Sequence, residues 1–324
     1  MTEAPRDRPS SGCYAVRNTH PLLLLTRHVY LAIFPDMAQR IAILGVGLLG
    51  GSIGLGLRAA GVDVHITGYG HRRPTLDSAL EFGAIDAAAT TPADAVREAE
   101  LVILCTPVGL LRQMLQEIAP ALRSGAVVTD VGSTKRSVVR AAQELLPAGR
   151  HFVGSHPMAG SEKRGIEYAR ADLFTGALCI LTPTACTDPA SLAYVEKFWQ
   201  SLHMRTTRLS PEEHDAALAD ISHLPHVLAG ALVAMQSPSV LPLAGKGFLD
   251  TTRIASGDAA LWRDILLDNR DHLKQSISRL SAQLKMLQGL LSEDRAEELT
   301  RWLAQAADRR DQLAREKLRE ISSD

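Results

Sequence analysis

From residue 41 the chain alternates short apolar runs with longer stretches in which apolar residues recur every three or four positions. Ile41-Ala42-Ile43-Leu44 is apolar without a break, as befits a strand buried on both faces of a parallel sheet. Apolar runs at 64–69, 101–105 and 126–129 repeat it, with helical spacing over 75–82, 108–122 and 134–146 between them. Alternation of this kind predicts an α/β fold built on a doubly wound sheet. Runs at 151–154, 177–182 and 204–207 extend the strands to about residue 208, and then the strand signals stop. From Pro211 onward apolar residues fall at helical spacing over 212–236, 258–291 and 293–321, for example at Ile277, Leu280, Leu284, Leu287 and Leu291. The pattern therefore divides the chain into a sheet-and-helix part, 37–208, and an all-helical part, 209–324.

Residues 1–36 belong to neither pattern. Their apolar stretches around 22–25 and 29–34 are interrupted by Thr26-Arg27-His28, which leaves nothing long enough to span a membrane. A signal peptide would also need a small-residue cleavage site that does not follow. Met37 stands just before Gln39-Arg40-Ile41, where the first strand begins. The expectation is that translation starts at Met37 and that the first 36 residues are disordered or not made.

The first strand feeds directly into Gly45-Val46-Gly47-Leu48-Leu49-Gly50, the glycine fingerprint of a Rossmann-type dinucleotide site. Gly45 permits the tight turn, Gly47 lets backbone approach a pyrophosphate, and Gly50 lets the helix pack closely on the strand. A structural glycine turn is the bland alternative, and the strand and helix on either side favour cofactor binding. Leu48, Leu49 and Thr106 are counted with the glycines as cofactor residues. The second strand ends in Gly68-Tyr69-Gly70-His71-Arg72-Arg73. NAD sites usually place a carboxylate here for the ribose, whereas a nearby arginine suits the 2′-phosphate of NADP. NADP is accordingly favoured over NAD, through Arg72 and Arg73, although two arginines at a strand end are also ordinary surface charge.

Composition fits this picture. Of the 324 residues 46% are hydrophobic, and the net charge of −1 supplies no basic field, which argues against a nucleic-acid partner. Cys13, Cys105, Cys179 and Cys186 form no CxxC or zinc spacing, so reduced, buried thiols in a cytoplasm are expected. No metal is called for.

Three further segments carry candidate chemistry. Asp130-Val131-Gly132-Ser133-Thr134-Lys135 follows a strand and opens a helix, which puts Ser133 at the carboxyl edge of the sheet, where open α/β sheets bind ligands. Helix N-capping is its competing role. Gly154-Ser155-His156-Pro157-Met158-Ala159-Gly160-Ser161-Glu162-Lys163 reads as a polar loop holding a histidine, and Ser222-His223-Leu224-Pro225-His226 sets Ser222 and His226 four apart on one helix face, with Pro225 bending that helix.

Together with Gly245-Lys246-Gly247-Phe248-Leu249-Asp250-Thr251-Thr252-Arg253-Ile254-Ala255 and Trp262, these segments resemble, in order, the motifs of the prephenate and arogenate dehydrogenases, over residues 39–264. The resemblance implies oxidative decarboxylation of prephenate to 4-hydroxyphenylpyruvate, with hydride passing to NAD(P), in tyrosine biosynthesis. By resemblance His156 is the catalytic histidine and Ser133 orients it. Arg253 then binds a substrate carboxylate, Asp250 supports it, Trp262 walls the pocket, and Ser222, His226 and Glu162 also meet the substrate. Arogenate dehydrogenase is the near alternative, and a nonenzymatic NAD(P)-binding sensor the distant one. The long apolar stripes of the helical part lead to the expectation of a homodimer.

Overall fold

The computed structural model describes residues 39–161 and 163–322, with side chains through 316. The expectations for residues 1–36, the start at Met37 and the role of Glu162 lie outside the described residues. The alternation of the first half becomes β1 (Arg40–Leu44), α1 (Leu48–Ala59), β2 (His65–Tyr69), α2 (Arg73–Glu81), β3 (Ala87–Ala88), α3 (Pro92–Val96), β4 (Leu101–Leu104), α4 (Val108–Ile118), β5 (Val127–Asp130), α5 (Arg136–Leu145), β6 (His151–Pro157), β7 (Leu178–Thr182), α6 (Pro189–Ser201) and β8 (Arg205–Arg208). These eight strands form one sheet in the order β3-β2-β1-β4-β5-β6-β7-β8. The order reverses between β1 and β4, so a crevice opens above their carboxyl ends. Every residue of β4 and β5 is buried, as are 41–44 of β1, which explains the unbroken apolar runs.

The sheet is not parallel throughout. β6 runs parallel to β5 as far as Val153, then pairs antiparallel with β7 through Gly154↔Thr182, Ser155↔Leu181, His156↔Ile180 and Pro157↔Cys179. His156 therefore sits within a strand, which corrects the expected polar loop. Strand periodicity reports burial and carries no direction, so an apolar pattern gives no sign of this switch.

The second half is helical: α7 (Pro211–Leu218), α8 (Leu224–Ala234), α9 (Lys246–Thr252), α10 (Ala259–Asp268), α11 (Arg270–Ser292) and α12 (Ala296–Ser322). The helix expected over 212–236 is interrupted by a wide turn at Ala219–His223, where Leu224 N–H reaches back to Ala219 O. Pro225, lacking an N–H, follows this turn rather than forming the bend itself. The run expected over 258–291 is two helices that meet at Asn269. Ile265 of α10 joins the core cluster of the sheet's helices, with Leu261 and Trp262 packed against it. The two halves thus share a core.

The cysteines depart from the expectation of uniform burial. Cys179 is buried, Cys105 is half-buried just past β4, and Cys186 is exposed. All three are free thiols.

Candidate functional site

The glycine fingerprint takes the form its sequence requires. Gly45 has φ +106°, and a Cβ there would stand 2.6 Å from Cys105 O. A Cβ on Gly50 would come within 2.2 Å of Gly45 O, so the first turn of α1 can lie this close to β1 only with glycine. A Cβ on Gly47 would meet nothing within 4 Å. That open space faces the first-turn N–H groups of α1, which a helix leaves unused and which suit a phosphate.

A cavity of about 510 Å³ lies over this turn, lined by Gly45, Gly47, Leu48, Leu49, Arg72 and Thr106 on one side and by Ser133, Gly257 and Trp262 on the other. The Thr106 hydroxyl is buried with no hydrogen-bond partner, so it is available to a ligand. An adjoining cavity of about 380 Å³ adds Tyr69, Gly70, His71 and Thr75. These two spaces fit the phosphate and adenosine ends of a dinucleotide. Arg72 borders both. Arg73 instead turns to Asp77 at 2.8 Å and borders neither, so of the two arginines expected to clamp a phosphate only Arg72 is placed to do so.

The end of β6 is anchored by a buried ion pair. The Lys135 ammonium is fully buried and donates to Asp130 and, at 2.8 Å, to Ser155 O. Asp130 also accepts Ser155 N–H at 3.1 Å and Gly132 N–H at 2.8 Å. These bonds fix the end of β6 where it leaves β5, and with it the neighbouring His156.

His156 Nδ1 lies 2.9 Å from His214 Nε2, and His214 Nδ1 lies 2.8 Å from Asp215 Oδ1. The carboxylate can only accept, so His214 donates from Nδ1 and its Nε2 keeps a lone pair. His156 must then donate from Nδ1, which leaves a lone pair on its own Nε2, the form a general base needs. Asp215 Oδ1 and Oδ2 also accept the N–H groups of Lys135 at 2.8 Å and Arg136 at 3.0 Å. A carboxylate on α7 thus caps α5. Burial alone would raise the Asp215 carboxyl, but the bonds from His214, Arg136 and Lys135 hold it below its ordinary value. Burial first, then the charges of His214, Lys135 and His223, push His156 well below 6.5. Burial likewise lowers His214, against the pull of Asp215.

Several expected residues stand differently. His156 Nδ1 is held by His214, while Ser133 lies on the loop before α5 and lines the cavity. Ser133 does not cap α5 either, since that helix starts at Arg136 without a side-chain cap of its own. His226 is buried and stacks on Trp262 with ring centroids 3.5 Å apart, while Ser222 is half-buried on the wide turn. That turn puts His223, rather than Ser222, in register with His226 as a buried side chain. Asp250 and Arg253 are exposed, one turn apart on α9 and the 3₁₀ turn after it, and neither borders the 510 Å³ cavity. Sequence reasoning missed His214 and Asp215. The available signal was an adjacent ionisable pair followed by Ala216-Ala217-Leu218 on a helix with an otherwise apolar buried face.

Comparison with known proteins agrees with this architecture. Residues 53–208 match the family model described as prephenate dehydrogenase, nucleotide-binding domain, and residues 210–305 match prephenate dehydrogenase, dimerization domain. Prephenate dehydrogenase of Bacillus subtilis is 38% identical over 285 residues, covering 86% of this chain and 77% of that protein. The crystal structure of A. aeolicus prephenate dehydrogenase in complex with hydroxyphenyl propionate and NAD+ superposes with a TM-score of 0.80 at 35% identity, covering 85% of this chain and 98% of that one. A crystal structure of Synechocystis arogenate dehydrogenase gives 0.74 at 32%, covering 84% and 99%.

Proposed function

The chain belongs to the prephenate dehydrogenase family of oxidoreductases, and on that premise we propose that it converts prephenate to 4-hydroxyphenylpyruvate and carbon dioxide in tyrosine biosynthesis. The observation that carries this reading is the chain Asp215–His214–His156, in which a buried imidazole is left with the lone pair on its unpartnered Nε2.

In this mechanism His156 Nε2 takes the proton of the substrate's C4 hydroxyl as the C4 hydride departs. The bound nicotinamide supplies the hydride acceptor. The bond from C1 to its carboxylate then breaks, its electron pair moves through the ring to the C4 oxygen, and carbon dioxide leaves. The resulting phenolate recovers its proton from His156. His214 and Asp215 hold the His156 tautomer throughout, because reversing it would set two N–H groups or two lone pairs against each other. Ser133 lines the cavity and is assigned to the reacting end by the family resemblance. Arg253, exposed and outside the 510 Å³ cavity, is assigned a substrate carboxylate by the family resemblance, a contact to which its planar fork is matched, with Asp250 one turn away. Trp262 and His226 form one stacked wall, Ser222 stands on the wide turn before His226, and Glu162 is assigned a substrate contact by the family resemblance alone.

NADP is the proposed cofactor. Arg72 borders the adenosine-side cavity, and the carboxylate that also lines it, Glu117, is engaged by Gln113 Nε2 at 2.8 Å. The A. aeolicus relative was crystallised with NAD+, so both cofactors belong in the assay. A homodimer through the helical half is proposed from the dimerization-domain match and from the exposed Met235, Leu243, Leu249, Leu284 and Leu291. The apolar run Pro211–Ala234 leaves Ile221, Leu232 and Val233 exposed, and the proposed assembly is where they would be covered. By length and composition the run could cross a bilayer, with mean hydropathy 1.4, yet it carries the buried His214 and Asp215.

The decisive assay follows reduced cofactor and carbon dioxide from prephenate and from arogenate, each with NAD and with NADP. Equimolar reduced cofactor and carbon dioxide from prephenate is the expected result. Turnover of arogenate alone would move the assignment to arogenate dehydrogenase, and no turnover of either would refute an enzymatic role.

A further inference from the structure

His223 is the buried histidine that the mechanism above leaves unused. It is 1% exposed, and its Nε2 has no hydrogen-bond partner. Its other nitrogen is engaged by Asn269, the residue at which α10 and α11 meet: Asn269 Nδ2 lies 3.1 Å from His223 Nδ1 and 2.7 Å from the backbone oxygen of Asp215.

These two distances settle the proton. A backbone carbonyl only accepts, so the Asn269 group facing it is the NH₂. The same NH₂ can only donate to His223 Nδ1, which must therefore carry the lone pair. The His223 proton is on Nε2. Burial holds the ring down at about 4, against the raising influence of Asp215, so the ring stays neutral through the physiological range. A buried N–H without an acceptor costs roughly 1–3 kcal/mol, so the position calls for an acceptor, which an ordered water or a bound ligand can supply.

His223 does not itself line the 510 Å³ cavity, and it lies behind Trp262, which does. The His223 ring stands edge-on to Trp262 at 6.3 Å, and Trp262 in turn lines the cavity and stacks on His226. His223 is also close enough to His156 and His214 for their charges to be felt. With Nδ1 pinned toward α11, Nε2 faces the opposite way, away from that helix.

We propose that His223 donates a hydrogen bond from Nε2 to a carboxylate or keto oxygen of the bound substrate, with Asn269 as the positioning residue that fixes its tautomer. This deepens the proposed function and rests on it for the identity of the substrate.

The test uses the full-length protein and two readouts. In steady-state kinetics with prephenate, His223→Leu is expected to raise the substrate KM about tenfold to hundredfold, the loss of one buried donor, with the cofactor KM unchanged. His223→Gln is expected to recover most of that loss, since its amide nitrogen can replace Nε2. An unchanged substrate KM in His223→Leu, or equal impairment in His223→Gln and His223→Leu, overturns the proposal. Separately, imidazole ¹⁵N spectra without substrate are expected to show His223 protonated on Nε2 in the wild type and to lose that preference in Asn269→Leu. A proton on Nδ1 in the wild type overturns the proposal whether or not prephenate proves to be the substrate. A wild type that ignores prephenate but shows the Nε2 proton would instead count against the proposed function.

Discussion

Replacing His214 with phenylalanine tests the relay most directly, because it keeps a planar aromatic ring, somewhat larger than imidazole, in a fully buried position while removing both nitrogens. Two hydrogen bonds disappear, at 2.9 Å to His156 and 2.8 Å to Asp215. Asp215 keeps its bonds to Lys135 N–H and Arg136 N–H, so the cap on α5 survives. The stability cost should therefore stay near 1–3 kcal/mol, a few degrees in Tm for a chain of this size. The catalytic cost should be larger. Without an acceptor at Nδ1, the His156 proton moves to Nε2, where the base needs its lone pair. A positioned base contributes about 10² to 10⁴ in rate, or roughly 3–5 kcal/mol of barrier. His214→Phe should thus lower kcat by that factor with little change in either KM. Initial rates at saturating prephenate and cofactor, with a thermal melt on the same sample, measure both effects. A folded variant with kcat within threefold of wild type would refute the relay.

Other consequences can be measured as readily. The histidines at the site are neutral in the folded state and ordinary when unfolded, so the unfolded chain binds more protons below pH 6.5. Stability is then complete above about 6.5 and is lost as the pH falls toward the folded values. The lowering of His223 to about 4 alone is worth roughly 3 kcal/mol by that pH, so Tm should fall across this window and fall less in His223→Leu. For the same reason kcat/KM should hold on the acid side until well below 6.5, where His156 takes up its proton. Arg72→Ala should reduce kcat/KM for NADP while sparing NAD, and Arg73→Ala, whose arginine is paired with Asp77, should do little; a wild-type preference for NAD would remove the NADP assignment. Sedimentation at micromolar concentration should give a dimer, and a monomer there would mean that the exposed apolar face of the helical half has another use.

How much of this was legible in the sequence depends on what kind of constraint each residue answers. Gly45 and Gly50 could be read because backbone geometry allows them few substitutes, and the structure shows the clashes a side chain would cause. His156 could be read as chemistry but not as a strand residue, since its neighbours Ser155 and Pro157 look like a loop until β7 supplies a partner. His214 and Asp215 escaped notice because their partners are 58 and 80 positions away, at His156 and Lys135, and no local spacing marks a pair of that kind. Pro225 announced an irregular helix, yet the widened turn before it, which selects His223 over Ser222, depends on how α7 and α8 pack. Arg72 and Arg73 were indistinguishable by sequence, and only the ion pair with Asp77 separates them.

The carboxylate of Asp215 bears on how such a protein can be taken apart. The family models change over between residues 208 and 210, and a protein engineer would cut there to graft one relative's nucleotide-binding half onto another's helical half. Yet the cap of α5 and the last link of the His156 relay both lie beyond that seam, on α7. A chimera joined at residue 209 keeps a working base only if the incoming half brings a histidine and a carboxylate in the same register. The unit of exchange is therefore the first half together with residues 210–215, and the seam drawn by sequence similarity runs through the hydrogen-bonded chain proposed to hold the base.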